Sequence, residues 1–178
     1  MNAENQYDII AKEYDSLFKD TKSIQENKAI AEMLQGISGT ILDIGCGTGL
    51  LLDLINIRHE DYFGIDASGE MLRIFRQKHL RHDVFQISFE MMNIHFMDFS
   101  NFISLFGSSS YILPEALSVF PRDKKLFLMF YREGYHPVTY EKTKHEFFHY
   151  VHTKEELQQL FPNCEIKDFS NYYIVTNL

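Results

Sequence analysis

The sequence predicts an α/β fold, a mostly parallel sheet covered by helices on both faces, and three observations point there. Short apolar runs alternate with amphipathic helical patterns along most of the chain. A glycine-rich stretch, Gly45 to Gly49, falls where one apolar run hands over to a helix. Two runs near the C-terminal end are separated only by Phe169, Ser170 and Asn171, which requires an antiparallel hairpin.

Ile10, Tyr14, Leu17 and Phe18 recur at i, i+4, i+7 and i+8, one face of a first helix. A second helix runs from Ser23 to about Gln35 with Ile30, Met33 and Leu34 inward, and Gly36 suits a left-handed stop. Thr40 to Ile44 is the first buried strand and Leu50 to Ile57 the helix after it. Asp61 to Ile65 is the second strand, and Ser68 caps a helix that turns Met71, Leu72 and Phe75 inward. Val84 to Ser88, Phe102 to Phe106 and Leu126 to Tyr131 add three strands, with Pro114 opening a short helix before the last of them. Phe147 to Val151 has strand composition, and Thr153 starts a helix with Leu157, Leu160 and Phe161 on one face. Cys164 to Asp168 and Tyr172 to Thr176 form the closing hairpin.

The 178 residues, 45% hydrophobic and 24% charged, suit one globular domain over residues 1–178. Within it, residues 1–35 form N-terminal cap helices and residues 36–178 the core. The formal net charge of −8 opposes a phosphate backbone, so no nucleic acid partner is expected. No run of eighteen apolar residues and no signal-peptide pattern is present, which gives the expectation of a cytoplasmic protein without a membrane partner. Cys46 and Cys164 form no CxxC pair and are expected as reduced thiols.

Asp43, Ile44, Gly45, Cys46, Gly47, Thr48 and Gly49 occupy a strand-to-helix junction, where glycines let the backbone pass close under a ligand. The spacing is GxGxG, since Leu50 stands where the dinucleotide fingerprint needs glycine. Asp43 would repel a pyrophosphate, so a cationic, phosphate-free nucleoside fits better. Asp66 ends the second strand, where a carboxylate can accept two hydrogen bonds from ribose hydroxyls.

The segments ILDIGCGTG (Ile41 to Gly49) and GIDASGEML (Gly64 to Leu72) together resemble a class I S-adenosylmethionine-dependent methyltransferase. YDIIAKEYD (Tyr7 to Asp15) is similar to the N-terminal helix of small-molecule members, and LFGSSSY (Leu105 to Tyr111) to their motif after the fourth strand. The resemblance implies a Rossmann-like fold, a seven-stranded mixed sheet with an antiparallel last strand and helices on both faces. It implies S-adenosylmethionine as cofactor and methyl transfer to nitrogen or oxygen of a small-molecule acceptor. Tyr14 would lie over the cofactor near its methyl group. Gly45, Cys46 and Gly47 would pass under the methionine part with Asp43 beneath them, Asp66 would hold the ribose, and Ala67 and Met71 would border the adenine. Ser88 and Phe89 fall where the family often has an acid that reads the adenine amine; with serine there, recognition passes to backbone groups or Glu90. Leu105 joins the cofactor set from the motif after the fourth strand. Pro121 to Lys124 (PRDK) departs from the proline and two glycines usual before the fifth strand.

Methyl transfer is an in-line displacement that rests on positioning, and a protonated amine or hydroxyl acceptor needs a base within about 3 Å. No catalytic residue is assigned; the acceptor-side candidates are Tyr14, Tyr111, Tyr131, Glu133 and His136. A module that holds the cofactor without turnover, and a methyltransferase acting on tRNA or protein, are the alternative readings. His145, Glu146, Phe147, Phe148 and His149 spell the HExxH zinc pattern, but that motif needs a helix and these residues are strand formers, so no metal is expected.

Overall fold

The computed structural model describes residues 3–92, 98–134 and 147–178. Two helices lead, α1 (Ala3–Tyr14) and α2 (Thr21–Met33), joined by a 3-10 turn over Asp15–Phe18. Helix α2 starts at Thr21, two residues ahead of the expected Ser23, because the Asp20 carboxylate caps it by accepting the Ser23 backbone N–H at 3.0 Å. Strand β1 (Ile41–Ile44), helix α3 (Leu50–Leu54), strand β2 (Tyr62–Asp66), helix α4 (Gly69–Lys78) and strand β3 (Asp83–Gln86) then form two successive crossovers. The remaining regular elements are β4 (Asn101–Ser104), β5 (Lys125–Tyr131), α5 (Lys154–Leu160), β6 (Glu165–Phe169) and β7 (Tyr172–Thr176).

Among the described residues seven strands make one sheet in the order β3-β2-β1-β4-β5-β7-β6. Strands β1 to β5 pair in parallel, and β7 runs antiparallel to both β5 and β6, as the three-residue connection requires. Alternation along β5 sends Phe127, Met129 and Tyr131 to the layer that holds α1, α2 and α4, and Leu126, Leu128 and Phe130 to the layer that holds α5. Ser68 caps α4 by accepting from Met71 N, and Thr153 with Glu156 closes a capping box on α5.

Phe147 to Val151 does not form the expected strand. Both edges of β5 are already paired, to β4 and β7, so this segment has no neighbouring ladder to join. It crosses the strand ends instead, where Tyr150 N donates to Ser110 O at 2.7 Å. No helix among the described residues is long and apolar enough to cross a membrane. Strand order reverses between β1 and β4, which opens a crevice at the carboxyl ends of the strands.

Candidate functional site

The crevice is built first from backbone. The chain leaves β1 through Gly45 at φ +69° and Gly47 at φ +53°. A Cβ on Gly45 would stand 2.7 Å from Ser108 Cβ, so glycine is required there by conformation and by space. Gly45 N and Cys46 N both donate to Ile65 O, at 2.8 and 3.0 Å, and fasten the loop to the end of β2. Asp66, the last residue of β2, accepts Gly47 N on Oδ2 at 2.9 Å and Ser68 N on Oδ1 at 2.8 Å. Each carboxylate oxygen keeps a further lone pair for a ligand hydroxyl. Burial pushes the Asp66 carboxyl up to about 6 against the pull of those two N–H groups, with the nearby Asp8 charge adding to the rise.

A cleft of about 530 Å³ opens beside this turn. One wall is the loop and the Asp66 turn, and Ala67, Met71, Ile87 and Phe89 supply an apolar slot beside them. Ser88 and Glu90 line its edge, and Glu90 Oε1 accepts Leu113 N at 2.9 Å. The aromatic lining comes from Tyr7, Tyr14, Tyr111, Phe148 and Tyr150. Tyr7 OH donates to Tyr111 OH at 3.1 Å, and the Tyr7 ring lies edge-on to Tyr111 and Tyr14 with centroids 5.4 and 6.0 Å away. Burial pushes the Tyr111 phenol up to about 12 and raises Tyr7 and Tyr14 as well, so these hydroxyls stay protonated.

The fold thus brings Tyr14, Gly45, Gly47, Asp66, Ala67, Met71, Ser88, Phe89 and Tyr111 to one cleft. Asp43, Cys46 and Leu105 do not line it. Asp43 is 2% exposed on the opposite side of the glycine loop, where Tyr62 OH donates to its Oδ2 at 2.7 Å. Burial pushes this carboxyl up to about 7 even though the Tyr62 bond pulls it down. Asp43 is thus buried against Tyr62, and Asp66 is at the cleft. The Cys46 thiol is raised by burial and faces the same interior cluster.

Tyr131 lies behind Tyr111, stacked on Tyr172 with centroids 5.6 Å apart. Glu133 is exposed in the turn after β5 and does not line the cleft. His136, His145 and Glu146 lie outside the described residues. Phe147 to Tyr150 are not helical, so His149 is not presented as the zinc motif requires. Among the described residues no three potential metal ligands cluster.

Sequence reasoning missed Tyr7, Phe148 and Tyr150 as cleft residues. Tyr7 could have been found, since it stands seven residues before Tyr14, close to two helical turns. Phe148 and Tyr150 carry no such signal, because only the crossing of residues 147–153 over the strand ends brings them there.

Residues 41–119 match a family described as Methyltransferase domain. An uncharacterized protein of Methanocaldococcus jannaschii is 33% identical over 109 residues, 61% of this chain and 41% of that protein, so the chain spans about two fifths of the length of the curated relative it matches. A SAM-dependent methyltransferase from Thermotoga maritima superposes with a TM-score of 0.68 at 17% identity, over 99% of this chain and 94% of that one. Magnesium protoporphyrin IX methyltransferase from Synechocystis PCC 6803, with bound SAM, superposes with a TM-score of 0.64 at 13% identity, over 97% and 93% of the two chains. The matched domain spans the glycine loop and the Asp66 turn, and the superpositions show that the whole sheet shares the fold of these methyltransferases.

Proposed function

We propose that this chain transfers the methyl group of S-adenosylmethionine to a nitrogen or oxygen of a small-molecule acceptor. The observation that carries the proposal is the pairing, in one cleft, of the Asp66 carboxylate and open glycine loop with a lining of phenols. The residues present suit the cofactor. A Cβ on Gly47 would meet nothing closer than Gly45 O at 4.0 Å, the kind of space a ligand fills. Asp66 would accept both ribose hydroxyls, and Ala67, Met71, Ile87 and Phe89 would enclose the flat base. Ser88, with Glu90 and backbone groups beside it, would stand at the edge of that base.

When bound, S-adenosylmethionine supplies an electrophilic methyl on a sulfonium. The protein's own contribution is placement and exclusion of water. Tyr7, Tyr14 and Tyr111 form the acceptor side and hold a nucleophile in line through ring contacts and hydroxyl hydrogen bonds. Their phenols remain protonated, so they orient the acceptor without taking its proton. That observation favours a second reading, a module that keeps the cofactor without turnover.

One experiment separates the two. The protein is incubated with deuteromethyl-labelled cofactor and a small-molecule cell extract, and the products are read by mass spectrometry. A labelled small molecule supports methyl transfer. Micromolar binding of adenosylhomocysteine by calorimetry with no labelled product supports the holding module, and absence of both sinks the cofactor assignment.

A further inference from the structure

The N-terminal helix and the first residue of the 3-10 turn after it carry a repeated pair, Tyr7-Asp8 and Tyr14-Asp15, seven residues apart. Seven residues are almost two turns, so the two tyrosines share one face and the two aspartates the adjoining one. Both tyrosines line the cleft. The aspartates face protein, and each reaches one of the two loops that form the cofactor wall.

Asp8 Oδ1 accepts the Ser68 hydroxyl and the Glu70 backbone N–H, the latter at 3.1 Å. Ser68 is the cap of α4, and its own N–H holds Asp66 Oδ1 at 2.8 Å. Two hydrogen bonds therefore join the helix over the cleft to the carboxylate that would hold ribose. At the other end Asp15 Oδ1 accepts the hydroxyl of Thr48, which lies inside the glycine loop and is 1% exposed. Asp15 Oδ2 pairs with Lys78 Nζ at 2.9 Å, and Lys78 also pairs with Asp53 of α3 at 2.8 Å. Apolar contact completes the seat, with Ile10 and Ala11 buried in the same cluster as Met71, Leu72 and Phe75 of α4.

We infer that Asp8 and Asp15 are positioning residues that clasp α1 to the Asp66 turn and to the glycine loop, so that binding of the cofactor and seating of the tyrosine-bearing helix are coupled. The inference rests on the cofactor assignment above. A ligand that orders the two loops also orders the helix, and the helix in turn holds the loops in their binding geometry. The relevant feature of Asp8 is one acceptor oxygen, which asparagine can supply as well.

The test combines calorimetry with hydrogen exchange. In the native chain, adenosylhomocysteine should slow amide exchange across residues 7–18; unchanged exchange there with the ligand bound overturns the coupling. Asp8→Ala, which removes the acceptor of both hydrogen bonds, should weaken adenosylhomocysteine binding by about tenfold, while Asp8→Asn stays within about twofold. Native affinity in Asp8→Ala, or equal loss in both variants, overturns the clasp. If the native chain does not bind adenosylhomocysteine, the cofactor reading fails by itself, and the clasp is judged on ligand-free exchange. Asp8→Ala must then open residues 7–14 faster than the native chain, and equal rates overturn it. If Asp8→Ala does not fold, the native exchange result and Asp8→Asn decide.

Discussion

The two sides of the cleft are held in different ways. The side proposed for the cofactor is a backbone construction: Gly45 N and Cys46 N share the Ile65 carbonyl, and Gly47 N and Ser68 N share one carboxylate. The side proposed for the acceptor is a side-chain construction, in which Tyr7 and Tyr14 of α1 meet the distant Tyr111 through ring edges and one hydroxyl pair. Backbone hydrogen bonds between adjacent parallel strands leave little freedom, whereas ring packing tolerates substitution with repacking. The first kind of wall suits a constant ligand and the second a variable one.

The sharpest way to break this contrast is at Gly45. Gly45→Ala adds a left-handed residue, about 1–2 kcal/mol, and an overlap with Ser108, about 1–3 kcal/mol. Adenosylhomocysteine binding measured by calorimetry should be lost or reduced by at least about a hundredfold. Near-native affinity would show that the loop yields as readily as the aromatic side.

Asp66→Ala should weaken the same binding by about 1.5–3 kcal/mol if two ribose bonds are made. The carboxyl lies near 6, so it is an anion above that pH and protonated below it. Affinity should therefore fall as pH drops through about 6, and Asp66→Asn should flatten the profile. A native profile level from pH 7.5 to 5 would remove Asp66 from the site.

Asp43 tests the support beneath the wall. Its folded value near 7 exceeds the unfolded value near 3.8, so the folded state holds the extra proton between them. That contribution to stability is complete below about pH 4 and is lost as pH rises through about 7, by up to about 1.4 kcal/mol per pH unit for one proton. Urea unfolding at pH 5 and 8 should show a smaller decline for Asp43→Asn than for the native chain, and an equal decline would mean that Asp43 titrates normally.

The smallest effect is expected on the aromatic side. Tyr111→Phe removes the hydroxyl that accepts from Tyr7 and should cost about 0.5–1.5 kcal/mol of stability, with cofactor affinity unchanged. A loss of cofactor affinity comparable to that of Asp66→Ala would show that the two sides are not separable.

Legibility in the sequence followed the same division. Gly45, Gly47, Asp66 and the Ser68 cap are close in the chain to the strands that position them, so strand, loop, acid and cap could be read in order. Asp43 shows the limit: its place at the end of β1 was readable, but strand alternation turns its carboxylate to the Tyr62 side of the loop. Phe147 to Val151 has strand composition, and whether it becomes a strand depended on β5 having a free edge.

By itself the sequence determined the alternation of strands and helices, the antiparallel closing hairpin, and the glycine loop with its acid, because periodicity, turn length and φ preference act over a few residues. Only the tertiary structure decided which aromatic residues share the cleft, and that Asp8 and Asp15 reach Ser68 and Thr48. Those contacts join residues 33 to more than 100 positions apart in the chain, and such meetings are set by the packing of whole elements on the sheet.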